Sequence, residues 1–139
     1  MLLHASCVSI NGKAVLLAGP PGAGKSDLAL RLIDSGAQLV ADDQVLLRRE
    51  GNALIAAPPE SIAGMIEMRH VGLIKMPYVT DVPVALYVEL TAMETALERL
   101  PAADSVFLLD HAVQRLRLPA FASSTPVKIR FALIYPTVP

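Results

Sequence analysis

The octapeptide Gly19-Pro20-Pro21-Gly22-Ala23-Gly24-Lys25-Ser26 constrains the fold of this chain more than any other feature. It fits the pattern G-x-x-x-x-G-K-[S/T] at every fixed position. An apolar run, residues 14–18, leads into it, and residues 26–34 follow with helical spacing. A loop of this kind sits between a strand and a helix. Its glycines let backbone N–H groups turn inward around phosphate oxygens, and the helix N-terminus adds a partial positive charge. Lys25 is then placed to reach the β- and γ-phosphates of a nucleotide, and the Ser26 hydroxyl to ligate Mg²⁺. An ordinary glycine-rich turn needs neither the lysine nor the serine. Residues 19–26 are therefore the candidate nucleotide-binding residues, with ATP and Mg²⁺ the expected ligands.

The flanking sequence qualifies the fold. Asn11-Gly12 lies between the apolar runs 4–10 and 14–18, and an Asn-Gly pair there predicts a hairpin with a type I′ turn. The strand entering the phosphate loop is thus expected to pair antiparallel with its predecessor, giving a mixed α/β sheet with antiparallel hairpins. Gly36 suits the stop of the first helix. Residues 39–41 read as a brief strand ending in Asp42-Asp43. Residues 45–49 and 53–57 flank Gly51-Asn52 as a second hairpin, which Pro58-Pro59 ends. The stretch 61–75 reads as one short helical turn, a loop around 67–72, and a strand from Leu73. Residues 82–90 predict a strand, and Pro83 suggests an edge position. Residues 91–100 read as a short helix, followed by a loop and two short apolar runs. Ser124-Thr125-Pro126 supplies a cap and an N-terminal proline for a helix over 125–133. One domain over 1–134 with a flexible tail, 135–139, is expected.

Composition supports a single core. Of 139 residues, 53% are hydrophobic and 18% charged, and Trp is absent, so Leu, Val, Ile, Ala and Met must fill the interior. Twelve Lys and Arg face thirteen Asp and Glu, which leaves no basic excess for a nucleic-acid backbone. No apolar run approaches the ~18 residues of a membrane span, and Asn11-Gly12-Lys13 breaks the N-terminal one. A soluble, cytoplasmic protein is expected, with neither membrane nor nucleic acid as partner. Cys7 is the only cysteine, which excludes an internal disulfide, and its apolar neighbours predict a buried packing role.

Other residues are candidates for chemistry. Asp42 and Asp43 end a strand near the bound phosphates, where one carboxylate can hold Mg²⁺ and the other take a proton from an attacking hydroxyl. On spacing alone they read equally well as a turn. His4 reads as mobile unless the first strand pairs beside the phosphate-loop strand. In that case it lies near the phosphates and can orient a carboxylate. Glu67 can complete a metal shell and Arg69 can contact phosphate. Arg99 reads as a solvated helix residue.

Together, His4, the loop 19–26, Val40-Ala41-Asp42-Asp43 and Ile66-Glu67-Met68-Arg69 resemble the catalytic domain of HPr kinase/phosphorylase. The resemblance covers residues 4–99. It implies a P-loop fold of the phosphoenolpyruvate carboxykinase-like type and a bifunctional enzyme of the bacterial sugar phosphotransferase system. Such an enzyme phosphorylates a serine of the phosphocarrier HPr with ATP or pyrophosphate. It reverses this with inorganic phosphate, yielding pyrophosphate. Position by position, the resemblance makes Asp42 the general base, His4 its assistant and Lys25 the phosphate-binding lysine. Ser26 and Glu67 become Mg²⁺ ligands beside Asp43, and Arg99 an arginine near the phosphates. His70 departs from the family signature, which has Gly there. The separate N-terminal domain of the long members is expected to be absent, as in short alphaproteobacterial forms. The C-terminal segments that help assemble hexamers have no clear match, so homo-oligomerisation stays open. Two other readings remain: a small-molecule P-loop kinase, and a nucleotide-sensing module that has lost turnover.

Overall fold

Asn11 and Gly12 adopt φ angles of 51° and 79°, the left-handed pair that a type I′ turn requires, and Gly12 does so without a Cβ to strain. In the computed structural model, which describes residues 1–139, this turn joins two strands at the centre of the fold. In chain order the first elements are β1 (Leu2–Leu3), β2 (Ala5–Ile10), β3 (Lys13–Ala18), α1 (Lys25–Asp34), β4 (Gln38–Ala41), β5 (Val45–Glu50) and β6 (Ala53–Ala57). They are followed by β7 (Met65–Met68), β8 (Gly72–Lys75), β9 (Val82–Thr91), β10 (Ser105–Leu108), β11 (His111–Pro119) and α2 (Thr125–Ile134).

Nine of the strands form one mixed sheet, and β7 and β8 form a separate hairpin. β2 lies between β3 and β4 and is antiparallel to both. β9 is parallel to β3 on one side and to β11 on the other. Hence β3, β4, β9 and β11 all run the same way, and the loops that follow them share one edge. In α/β sheets, that is the edge where ligands bind. β6 joins the start of β9 through Ile55↔Pro83 and Ala56↔Val82, and β5 and β1 continue outward from it.

The sheet buries both faces. On one, Val8, Val15, Leu17, Leu86 and Val88 pack against Leu28 and Leu32 of α1, Ile129 of α2 and Ile66 of β7. On the other, Cys7, Leu16 and Val40 pack against Val45, Leu47, Leu54 and Ala56 of the β5–β6 hairpin, with Leu108 and Val113 alongside. A strand buried on both faces reads as an unbroken apolar run, as β3 does. No helix is long and apolar enough to cross a membrane.

Cys7 is fully buried, and burial pushes its thiol well above the ordinary range. Because the folded state holds this proton more tightly than the unfolded chain does, its contribution to stability is present below about pH 8.5 and lost as pH rises past it. Cys7 in the native protein is expected to resist a thiol-specific disulfide reagent at pH 8. It should react fully once denaturant unfolds the chain, as thiolate release followed by absorbance will show.

Several elements differ from their sequence reading. β9 is interior, not an edge strand: Pro83 stands at its second position, before pairing with β3 begins at Val84. Residues 91–100 contain only a 3₁₀ turn, Glu94–Ala96. Leu100 is 81% exposed there, so the apolar stripe has no face to cover, and a short helix without such packing is unstable. Around Glu67 there is no loop but the β7–β8 hairpin, registered Glu67↔Leu73 and Met68↔Gly72. The two late apolar runs form the β10–β11 hairpin, with Leu109 and Asp110 at φ 49° and 60° in its turn. In α2, Ser124 is the N-cap residue but makes no side-chain cap. The neighbouring Thr125 hydroxyl instead donates to the Pro119 carbonyl, 2.5 Å away. The stop at α1 is as read: Gly36 N–H donates to Ile33 O and Ala37 N–H to Leu32 O, each 3.0 Å, which is a Schellman closure.

His70 occupies the β7–β8 turn at φ 68°. It keeps the left-handed backbone that Gly adopts freely, at a steric cost of about 1–2 kcal/mol. His70→Gly removes that cost but adds unfolded-state entropy of about 0.5–1 kcal/mol. The net expectation is a gain of about 0.5–1 kcal/mol, read as a higher denaturation midpoint.

Candidate functional site at the shared strand edge

The loop after β3 carries the octapeptide to α1. Gly24 is the N-cap residue at φ 100° and offers no side-chain cap, so the first N–H groups of the helix are free for an anion. A Cβ on Gly24 would lie 2.8 Å from Phe121 Cζ and 3.0 Å from Ala120 Cβ, at a φ of 100° that side chains rarely adopt. Lys25 opens the helix, and its ammonium donates to the loop's own carbonyls, Gly19 O at 2.8 Å and Pro20 O at 3.5 Å. These bonds hold the ammonium over the loop, from where it can transfer to phosphate oxygens.

The loop after β4 supplies the carboxylates. Asp42 is buried and accepts three hydrogen bonds. Its Oδ1 accepts from Ser26 Oγ at 2.6 Å and Ser6 Oγ at 2.9 Å, and its Oδ2 accepts from the Glu67 backbone N–H at 3.1 Å. Hydrogen bonds to a charged group contribute about 1.5–3 kcal/mol each, enough to fix this carboxylate in one orientation. Asp43 is exposed: its φ is 69°, and its N–H donates to Ser6 Oγ at 3.2 Å.

Of the residues singled out from the sequence, Lys25, Ser26 and Asp42 are brought together, and Glu67 reaches them through its backbone. The Glu67 side chain is exposed. His4 is exposed in the bend between β1 and β2. Pairing of Ala5 with Ala18 sets it at the phosphate-loop end of the sheet, yet no hydrogen bond links it to Asp42. Arg99 is exposed on the irregular segment after β9 and Arg69 on the β7–β8 turn, neither hydrogen-bonded to this cluster. Ser6 is the residue that sequence reasoning missed. A hydroxyl inside an apolar strand was the available signal, since a buried hydroxyl requires a partner, although Ser9 of the same strand carries the same signal.

No group of three or more His, Cys, Asp and Glu side chains is clustered for a metal. The Ser26–Asp42 pair nevertheless fits Mg²⁺, which is usually held by one or two carboxylates together with substrate phosphates and water. Ser26 donates its proton to Asp42 and so keeps its oxygen lone pairs for a cation.

The family model of the HPr serine kinase C-terminal domain matches residues 1–129. The chain belongs to this family. A relative named HPr kinase/phosphorylase from Lactococcus lactis subsp. lactis is 34% identical over 128 residues, covering 84% of this chain and 41% of the relative. One of the same name from Geobacillus thermodenitrificans is 43% identical over 75 residues, 53% of this chain and 24% of the relative. The chain thus spans about two-fifths or less of these relatives' length. Among solved structures, the Hpr(Ser) kinase/phosphatase from Coxiella burnetii superposes with a TM-score of 0.84 at 29% identity. That match covers 96% of this chain and 94% of the other.

Proposed function

We propose that residues 1–134 form a catalytic unit that transfers a phosphoryl group from ATP to a serine hydroxyl of HPr in the cytoplasm. Its sheet is the phosphoenolpyruvate carboxykinase-like variant of the P-loop fold, a reading supported by the antiparallel β2 between β3 and β4. The observation that carries the proposal is the Asp42 carboxylate, buried and oriented by three donors directly beside the phosphate loop.

Loop N–H groups and the Lys25 ammonium bind the phosphates and offset their charge. Mg²⁺, held by Ser26 with Asp42, Asp43 or Glu67 near by, neutralises further charge when bound. Asp42 Oδ1 already accepts two hydrogen bonds, whereas Oδ2 accepts one, so Oδ2 keeps the lone pair that can take a proton. As the serine oxygen bonds to phosphorus and the bond to the leaving phosphate breaks, its proton passes to Asp42. In reverse, inorganic phosphate attacks phosphoserine, pyrophosphate forms, and protonated Asp42 returns its proton to the serine oxygen. Pyrophosphate serves as an alternative donor by the same steps. His4 assists Asp42 from the adjacent strand end, and Arg99 approaches the phosphates once substrate is bound.

Intact-mass analysis of HPr after incubation with the protein, ATP and Mg²⁺ tests this reading. A gain of one phosphate, mapped to a serine, is the expected result. Unmodified HPr at every phosphate concentration tried would count against it. Tight ATP binding without transfer would instead favour a nucleotide-sensing module.

A further inference from the structure

Phe121 is the unused feature closest to the phosphate loop. It is 64% exposed, yet its ring rests on Gly24, so closely that a Cβ there would meet both Phe121 and Ala120. The segment that carries it, between β11 and α2, is tied down at several points. The Arg31 guanidinium of α1 donates to the carbonyls of Ala120 and Ala122. The Ala120 N–H reaches Thr91 O at 3.3 Å, and the Thr125 hydroxyl holds Pro119 O. A large aromatic is therefore presented to solvent on a fixed backbone, beside the site where a nucleotide's phosphates are proposed to sit.

Next to it lies a cleft of about 300 Å³, lined by Thr91, Ala92 and Glu94 after β9 and by residues 119–122 after β11. That volume is at the small end of pockets for small molecules. The cleft occupies the C-terminal ends of β9 and β11, two of the strands that run with β3, the position where α/β sheets bind ligands.

We infer that this cleft is the nucleoside subsite of the phosphate loop, with the purine base stacked on Phe121 and the ribose hydroxyls facing Thr91 and Glu94. The inference rests on the phosphate-loop reading above. An exposed aromatic face binds any base through stacking, and a Glu carboxylate accepts hydrogen bonds from ribose hydroxyls. The phosphates are gripped by the loop and the base by Phe121, so the two contributions are separable.

Calorimetric titration of the full chain with Mg²⁺–ATP and with Mg²⁺–tripolyphosphate, which has the phosphates but no base, tests the inference. Phe121→Ala is expected to weaken ATP about tenfold and to leave tripolyphosphate unchanged, while Phe121→Trp retains the wild-type ATP affinity. Equal weakening of both ligands would assign Phe121 to loop support and overturn the subsite, as would unchanged ATP affinity in Phe121→Ala. If the wild-type chain binds tripolyphosphate but prefers it to ATP, the subsite alone fails. If it binds neither, the phosphate-loop reading fails with it.

Discussion

Asp42→Asn is expected to lower phosphoryl transfer to HPr by about 10²–10⁴-fold, the usual range for removing a general base, while ATP binding persists. The amide is isosteric, and the local hydrogen bonds show why the fold tolerates it. Its oxygen can accept from the Glu67 N–H, and its NH₂ can donate to Ser6 and Ser26, whose hydroxyls rotate to receive it. What disappears is the free lone pair on an anionic oxygen that takes the serine proton. Asp42→Ala is a different perturbation. It leaves the buried Ser6 hydroxyl and the part-buried Glu67 N–H without their acceptor and is expected to cost about 1–3 kcal/mol of stability in addition. Rates of transfer, ATP titration and thermal unfolding of the two variants separate the chemical loss from the structural one. Full activity in Asp42→Asn would displace Asp42 as the base.

Lys25→Met is expected to reduce turnover by about 10²–10³-fold, comparable with removing one donor aimed at developing charge. Its structural cost should be small. The ammonium bonds only to the Gly19 and Pro20 carbonyls of its own loop, and both can turn to water. Methionine keeps most of the unbranched stem, so helix propensity at the first position of α1 is hardly altered. The unfolding midpoint should therefore stay near wild type while transfer collapses. A variant that kept its turnover would show that the phosphates lie elsewhere than over this loop.

Much of this arrangement was legible in the residues, because it depends on local chemistry. Asn11-Gly12 announced the β2–β3 hairpin and with it the mixed sheet. The octapeptide announced its own strand and helix, and Gly36 the helix stop. What stayed hidden depends on packing between distant segments. The β7–β8 hairpin turns through His70 and the β10–β11 hairpin through Leu109-Asp110, at positive φ. Neither turn carries the Asn-Gly or Asp-Gly pair that marks a hairpin in sequence. Pro83 argued for an edge, but only the assembled sheet shows that it precedes the pairing with β3. The stripe over 91–100 has helical spacing without a surface to bury it. At the site, the resemblance to HPr kinases pointed to Asp42, but spacing could not show that Ser6 and the Glu67 backbone would hold it. His4 and Arg99, taken from the same resemblance, lie exposed and unconnected to that carboxylate.

One reaction tests the central claim, that this edge of the sheet passes a phosphoryl group to a protein serine. ATP labelled in its γ-phosphate is incubated with the protein, Mg²⁺, HPr and a mixture of nucleosides and small hydroxyl compounds, and the products are separated by size. The label is predicted on a serine of HPr, and to arrive there about 10²–10⁴-fold more slowly when Asp42→Asn replaces the wild-type chain. Label in the small-molecule fraction, or on HPr at an undiminished rate with the variant, would contradict the account.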